Sequence, residues 1–547
     1  MLIFGNKLFK KPLRILKAFN NEEFLTAFRE IEELSKKYYL AGYIRYEAKE
    51  VFLGEKIAFD YPLLYFEVFE DFKEFSPHVA DLCRLKSSSA ITFEQYKSDL
   101  EKIKEEIANG NTYEVNYTYD RHVDCEADEF ELFNFLLKKQ ATPYNAFIKN
   151  DIETIFSFSP ELFFELKNGH ILTKPMKGTV PRGIDEVQDK KNVDFLKNDI
   201  KNRAENVMIV DLLRNDLGRI AKTGSVKVSK LFEIETHKTL YQMTSQIEAD
   251  LLDGTTLFEV FKAIFPCGSI TGAPKISTMK IIDRLEKGSR EVYCGAIGLI
   301  SPKKTVFSVP IRILQKKSDE KTYRYRVGGA IVWNSDIKEE WKETLTKSKI
   351  LEEDFKLIET IKVECGKPFL WAEHLGRLKN SAKHFGFNFN PELETLKPTQ
   401  DGMLRILLSK DGSYSLEYKK LVRSEVCKVE ISPKKVDSRK SFLYHKTTYR
   451  PYYEESFKKI VDGKIYDELF FNEKGELSEG ARSNVLLTIN GKLYTPPVKC
   501  GLLNGVLRQN LLDRGICTEK ILYKEDLLHA ENVYCINSVR GIRRVVL

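Results

Sequence analysis

The 547-residue sequence has no run of 18 uninterrupted apolar residues, so nothing in it reads as a membrane-spanning helix. Its opening stretch, MLIFGNKLFKKPLRILKAFN, is broken by Lys or Arg every few positions. It lacks the apolar centre of a secretion signal, and a cytoplasmic protein is expected. The nine cysteines form no CxxC pair and no Cys/His cluster at zinc spacing, which predicts reduced and mostly buried thiols. None stands in a GxCxG turn of the kind that exposes a catalytic thiol. Low-complexity tracts and short-period repeats are missing too. Basic residues exceed acidic ones by only seven, and they are scattered without interleaved aromatics. That pattern argues against nucleic acid and suits small anionic ligands.

What is present is an ordinary globular composition, 42% hydrophobic and 31% charged, on a chain long enough for two to four domains. Residues 1–90 read as short strands and helices. In TFEQYKSDLEKIKEEIANGNTYEVNYT, apolar positions near 3.6 spacing predict a helix that stops at Gly110 and is followed by a strand. Strands are predicted at ETIFSFSPELFFEL, HILTKP, YCGAIGLISP, TVFSVPIRIL and YRYRVGGAIVW. Helices are predicted at KNRAENVMIVDLLRNDLGRIA, STMKIIDRLEKG and EEWKETLTKSKILEEDF. Elements that come in groups, without regular alternation, point to an α+β sheet sandwich. The pattern restarts near residue 352, so the expected divisions are 1–90, 91–351 and 352–547.

Three stretches of the first part carry chemistry. KPMKGTVPRG, Lys174 to Gly183, reads as a Gly/Pro-rich turn holding Lys177, either a solvated surface lysine or a reactive amine. In FPCGSITGAPKISTMKIID, Gly268, Ser269, Thr271 and Gly272 read as a turn whose N–H groups and hydroxyls can face an anion, with a helix opening after Pro274. Glu340 and Glu343 are three apart and share a helical face, and Glu205 precedes a long apolar helix. Carboxylates so placed want a cation or a solvated surface, and hard oxygens suit magnesium.

SPELFFEL, KPMKGT, RAENVMIVDLLRNDLGRI, GSITGAPK, YCGAIGLISP and GGAIVWNSDIKEEWKETLTKSK occur in an order that resembles the chorismate-utilising enzymes. That family includes anthranilate synthase component I, aminodeoxychorismate synthase component I, and the isochorismate and salicylate synthases. The resemblance spans about residues 90–350. It implies a chorismate-binding α+β fold in which magnesium bridges the substrate carboxylate and Glu205, Glu340 and Glu343. Ser269, Thr271, Gly272, Tyr293, Arg312, Gly328 and Lys347 fall at substrate-binding positions. Arg312 suits that role because its planar fork pairs bidentately with a carboxylate. The KGT of Lys177 is similar to the aminodeoxychorismate synthase branch, where the lysine amine attacks ring carbon C2 as the C4 hydroxyl leaves. Glu161, of SPE, would protonate that leaving group, and ammonia would then add at C4 and expel the lysine. Water-adding relatives carry a lysine within the stretch matching TYEVNY, where this chain has Glu114 and Asn116, which argues against water as nucleophile. Residues 1–90 lack a stretch like the LLES of tryptophan-regulated members, so feedback by tryptophan is not expected. With no glutaminase turn in the chain, ammonia is expected from solution or from a separate glutamine amidotransferase subunit.

The last part holds YHKTTYRPYYEE, DELFFNEKGELSEGARSNVLLTINGKLYTPP and CGLLNGVLRQNLL. Each alone reads as well as an exposed strand, a hairpin or a plain helix start. Together with LIETIKVECGKPFLWAEHLGRLKNSAKHFGF and NSVRG, they resemble the class IV pyridoxal phosphate enzymes over about 355–547. That family contains branched-chain and D-amino acid aminotransferases and aminodeoxychorismate lyase. The resemblance implies that Lys446 bonds the cofactor aldehyde, Glu479 pairs with the pyridine nitrogen, and Arg377 binds the phosphate. Ser483, Gly505 and Val506 would lie near that phosphate, Thr360 matches a position implicated in lyase activity, and a homodimer is implied. The combined expectation is synthesis of 4-amino-4-deoxychorismate followed by loss of pyruvate to give 4-aminobenzoate, the folate precursor. Three alternatives stay open: an anthranilate synthase-like first part, an amino acid aminotransferase tail, or a tail kept only for dimerisation.

Overall fold

The computed structural model describes residues 1–183, 185–236, 240–352, 355–422 and 424–547. Contacts divide the chain into two compact units, Met1–His78 with Cys83–Glu352, and Val79–Leu82 with Glu353–Leu547.

Among the described residues, two ten-stranded sheets build the first unit. One runs Gly272–Ala273, Glu114–Asp124, Tyr323–Val332, Ile313–Lys317, Glu153–Ser159, Tyr144–Lys149 and on to Leu2–Phe4, all antiparallel neighbours. The other runs Met176–Pro181, Leu240–Asp250, His170–Lys174, Leu162–Lys167, Thr305–Ser308, Ala296–Ile300, Tyr39–Ile44, Leu64–Phe69 and Arg14–Ala18. Glu153–Ser159 and Ala296–Ile300 are buried along their whole length, as strands inside a layered fold are. The largest apolar cluster takes Leu2, Ile148 and Ile155 from the first sheet and Leu40, Phe66, Phe164 and Phe307 from the second, so the core lies between them. Residues 1–90 add strands to both sheets.

The expected helices form for local reasons. Phe93–Ala108 starts at Thr92, whose hydroxyl accepts from the Gln95 N–H, and ends just before Gly110 at φ +75°. Ile200–Gly218 starts at Asp199, which accepts from the Asn202 N–H, and Lys275–Leu285 follows Pro274. Ile337–Lys347 is capped by Asp336.

Several expectations differ from what forms. ETIFSFSPELFFEL and TVFSVPIRIL each split into two strands of different sheets, Glu153–Ser159 with Leu162–Lys167 and Thr305–Ser308 with Ile313–Lys317. KPMKGTVPRG is not a turn: Met176–Pro181 is a strand paired with Leu240–Asp250, because Val180 and Thr179 find a register there despite the flanking Gly and Pro. Glu205 lies inside the Ile200–Gly218 helix, within the helix predicted over KNRAENVMIVDLLRNDLGRIA and not ahead of its apolar part.

The second unit holds sheets of four, three and five strands among the described residues. Leu357–Glu364 packs its Leu357 and Ile361 against Leu375 and Leu378 of the helix Trp371–Phe385, which Gly386 ends at φ +70°. No helix of the described residues is long and apolar enough to cross a membrane.

Candidate active site

Lys177 sits at a kink in its strand. The register with Leu240–Asp250 shifts between Met176 and Thr179, so the strand carries one extra residue there, a β-bulge. Gly178 makes it possible at φ +82°, and a Cβ on it would lie 2.8 Å from Leu196 and 2.9 Å from Asn202. The bulge turns the Lys177 amine toward Glu114 Oε1, to which it donates at 2.8 Å, and toward Glu205 Oε2 at 3.9 Å. Burial alone would lower the lysine pKa, but Glu114 and Glu205 outweigh it and the pKa ends above the usual lysine range. The resting amine is therefore an ammonium, and it must lose a proton before it can act as a nucleophile.

Glu161 is buried between the strands Glu153–Ser159 and Leu162–Lys167 and accepts from the Ser269 hydroxyl at 2.6 Å. That bond joins the SPE and GSITGAPK stretches, 108 residues apart. Burial pushes the Glu161 carboxyl up to about 7, so near neutrality it keeps a proton to give. Thr271 behaves otherwise than expected. Its hydroxyl donates inward to the Cys267 and Gly268 carbonyls at 3.1 and 3.2 Å, adding to the backbone N–H bonds that both carbonyls already accept around the Gly268–Ile270 3-10 turn. Gly272, at φ +134°, is needed for close passage: a Cβ there would lie 1.9 Å from the Glu114 carbonyl oxygen.

Arg312 points the other way electrostatically. No ion pair joins it to a described carboxylate. With its amide oxygen turned toward the guanidinium, Gln140 accepts from Arg312 Nε at 3.1 Å. Burial depresses the guanidinium pKa, and the backbone adopts φ +56°. A deep but solvent-reachable arginine without a counter-ion is what a carboxylate ligand would find favourable. Tyr293 is buried, and Gly328 crosses the neighbouring strand so closely that a Cβ would meet the Tyr117 carbonyl oxygen at 1.9 Å. Lys347 donates to the Gly328 carbonyl at 2.8 Å and pairs with Glu343 at 2.8 Å.

The three glutamates expected around magnesium are drawn to lysines. Lys201 reaches Glu340 Oε1 at 3.2 Å and Glu205 Oε1 at 4.0 Å, and Glu343 pairs with Lys347. As they stand, no three His, Cys, Asp or Glu side chains of the described residues are gathered closely enough to hold a metal ion. The donors nonetheless fit one. A Cβ on Gly329 would lie 3.6 Å from Glu340 Oε2 and from Lys347 Nζ and 3.9 Å from Glu343 Oε1, so both carboxylates reach this glycine together with the Lys347 ammonium. The oxygen-only donor set is that of magnesium.

In the second unit, Lys446, Arg450, Tyr453, Glu479 and Leu503 line one cavity. The Lys446 carbonyl accepts from the Ile358 N–H at 2.8 Å, and Thr447 bridges to Leu357, so the lysine is held beside the strand Leu357–Glu364. Burial, then Arg450 and Arg377, pull the Lys446 amine down to about 7. Glu479 accepts from the Tyr453 hydroxyl at 3.0 Å and from Asn484 Nδ2 and the Leu503 N–H at 3.2 Å each. Burial raises it to about 7.

Arg377 grips Glu359 through Nε and Nη2 at 2.9 and 2.7 Å and the Asn504 carbonyl through Nη1 at 3.2 Å. Two of its five N–H donors remain. Asn504 leads into Gly505 and the helix Val506–Asp513, whose first turn has no side-chain cap. A Cβ on Gly505 would lie 1.9 Å from Asn484 Oδ1, so only glycine brings this helix end so close. Spare arginine donors beside an uncapped helix N-terminus fit a phosphate, and an amine near half-neutral at pH 7 fits an aldehyde. Pyridoxal phosphate therefore suits these residues. Ser483 is otherwise engaged: its hydroxyl donates to the buried Asp467. Thr360 lies two residues beyond Ile358 on the strand next to Lys446, half-buried and paired across to Arg405. Sequence reasoning missed Lys201, Gln140, Gly329, Glu359 and Tyr453. A lysine one helical turn before Glu205 was the one readable signal among them.

Residues 6–353 match the family model of chorismate binding enzymes. The chain belongs to that family. Residues 356–547 match the class IV aminotransferase model. Aminodeoxychorismate synthase component 1 of Salmonella typhimurium is 39% identical over 254 residues, 46% of this chain and 56% of that protein. Anthranilate synthase component 1 of Aquifex aeolicus is 34% identical over 271 residues, 50% of this chain and 55% of that protein. The chain thus spans little more than half the length of these curated relatives. The crystal structure of anthranilate synthase component I from Streptococcus pneumoniae TIGR4 shares the fold, with a TM-score of 0.55 at 22% identity over 64% of this chain and 92% of that one.

Proposed function

We propose that the first unit converts chorismate and ammonia into 4-amino-4-deoxychorismate, and that the second releases pyruvate from it to leave 4-aminobenzoate. The observation that carries this reading is Lys177, aimed by a bulge at Glu114 and Glu205, in a unit where buried Glu161 retains a proton.

In the first reaction Lys177 passes its extra proton to Glu114, to which it already donates at 2.8 Å. The neutral amine bonds to C2 while the ring double bonds shift and the C4–O bond breaks. Glu161 gives its proton to the departing hydroxyl, which leaves as water. Ammonia then bonds to C4, the C2–N bond breaks, Lys177 is restored, and Glu161 recovers a proton from the new ammonium. Arg312 has the charge and the freedom to hold a substrate carboxylate. Glu205, Glu340 and Glu343 would hold magnesium, which supplies Lewis-acid attraction for a second carboxylate. Ammonia would come from a glutamine amidotransferase partner, in keeping with the "component 1" in the names of the relatives.

In the second unit, Arg377 and the Gly505–Val506 turn would hold the phosphate of pyridoxal phosphate, with Glu479 at its ring nitrogen and Lys446 at its aldehyde. When bound, that cofactor supplies an electron sink for the carbanion at C4. Lys446 removes the C4 proton, pyruvate leaves, and aromatisation drives the step. The test is incubation with chorismate, magnesium, pyridoxal phosphate and ammonium, with chromatography separating 2- from 4-aminobenzoate. The expected products are 4-aminobenzoate and pyruvate, and 2-aminobenzoate would overturn the reading. Lys177→Ala should abolish turnover of chorismate while leaving pyruvate release from supplied 4-amino-4-deoxychorismate intact.

A further inference from the structure

Lys201 is badly placed for its own helix. It is the second residue of Ile200–Gly218, where the helix dipole opposes a cation, and it precedes Glu205 by four, the less favourable order for such a pair. What holds its ammonium is a tertiary contact, Glu340 at 3.2 Å on a helix 139 residues away, with Glu205 Oε1 at 4.0 Å on its other side. Both carboxylates are nearly buried, their side chains 6% and 12% exposed. Two such charges without a cation between them would be costly. The Lys201 side chain, by contrast, is 49% exposed and can swing into water with little desolvation. The Glu340 carboxylate is shared in a telling way. Its Oε1 takes Lys201 and the Ser335 hydroxyl at 2.7 Å, while its Oε2 lies beside Gly329 with Glu343 Oε1 and the Lys347 ammonium.

We propose that Lys201 is a built-in place-holder for the divalent cation: its ammonium neutralises Glu205 and Glu340 when the metal is away and is displaced into solvent when the metal binds. The proposal rests on the metal shell of the preceding section. It follows that Lys201 competes with the metal and weakens its binding to the substrate-free enzyme, so that the cation binds tightly only when a ligand carboxylate arrives with it.

The test is titration of the full chain with Mn2+, read by the electron paramagnetic resonance of the free ion, without substrate or ammonia. Lys201→Gln should bind Mn2+ roughly three- to tenfold more tightly, the range expected for losing two partly exposed ion-pair contacts. Lys201→Arg should stay near the parent. Lys342→Gln, which removes an equal charge from the helix of Glu340 but from a lysine paired with Glu339, should change little. Equal or weaker binding by Lys201→Gln overturns the place-holder, as does an equal gain in Lys342→Gln, which would mark a general charge effect. If Mn2+ binding is the same in the parent and in Glu205→Gln, the metal shell itself is wrong, and the proposal falls with it.

Discussion

Cofactor capture by Lys446 gives the most direct reading of the second unit. A lysine at its ordinary pKa of about 10.4 is neutral in roughly one molecule in 2,500 at pH 7. Lys446 lies at about 7, chiefly through burial and then through Arg450 and Arg377, so near that pH about half its amines are free to attack. Capture of pyridoxal phosphate by cofactor-free protein should therefore rise with pH to a midpoint near 7. Arg450 is held by the Ala481 carbonyl and stacks on Tyr453, so it is a fixed charge on the amine's flank. Arg450→Met should move the midpoint upward. A shift of about one unit would slow capture at pH 6.5 roughly eightfold while leaving it near parental above pH 9. Stopped-flow absorbance of the disappearing aldehyde, from pH 5.5 to 9.5, reads both quantities. A parental midpoint above 9, or no displacement in Arg450→Met, would refute the electrostatic account of this lysine.

Three other outcomes follow. Glu161→Gln should cut chorismate turnover by about 10²–10⁴, the usual worth of a positioned acid, and the parental rate should fall as pH rises through about 7, where Glu161 loses its proton. The same group lies above its unfolded value, so its contribution to stability is present at low pH and is lost through that region. In cofactor-free protein, Glu479 loses stability as pH climbs toward 7, and Lys446, whose pKa is depressed, regains it from there toward 10. The melting-temperature difference between the parent and a Glu479→Gln, Lys446→Met double variant should therefore dip near pH 7, and a featureless difference would count against both assignments. Gly178→Ala should destabilise the first unit by roughly 1–3 kcal/mol and slow chorismate turnover, since Leu196 and Asn202 block the new methyl at 2.8 and 2.9 Å; denaturant unfolding measures the first effect.

Much of the layered architecture was legible because its signals are local: apolar positions near 3.6 spacing that stop at Gly110 for the helix Phe93–Ala108, and apolar runs for the buried strands. Lys177 was legible as a residue but not as a conformation. A Pro- and Gly-rich stretch reads as a turn until a partner strand 60-odd residues away gives it a register, and pairing at that range leaves no periodic trace in the segment itself. Thr271 shows the reverse problem. A hydroxyl in a glycine-rich turn can serve a ligand or reinforce the turn, and only the folded geometry, which sets it against the Cys267 and Gly268 carbonyls, decides between them. Lys201 and Gln140 belong to neither motif, because their roles depend on which distant side chain they meet.

The contribution of the first seventy residues to both sheets has an outcome for anyone trimming this chain. Tyr39–Ile44 seals Ala296–Ile300 on one side, and Leu2–Phe4 seals Tyr144–Lys149 on the other sheet. A fragment beginning at residue 91 would bare both of those apolar strand margins at once. Such a fragment should adhere to its own copies rather than act as a minimal enzyme, because an unpaired hydrophobic margin recruits whatever strand is nearest.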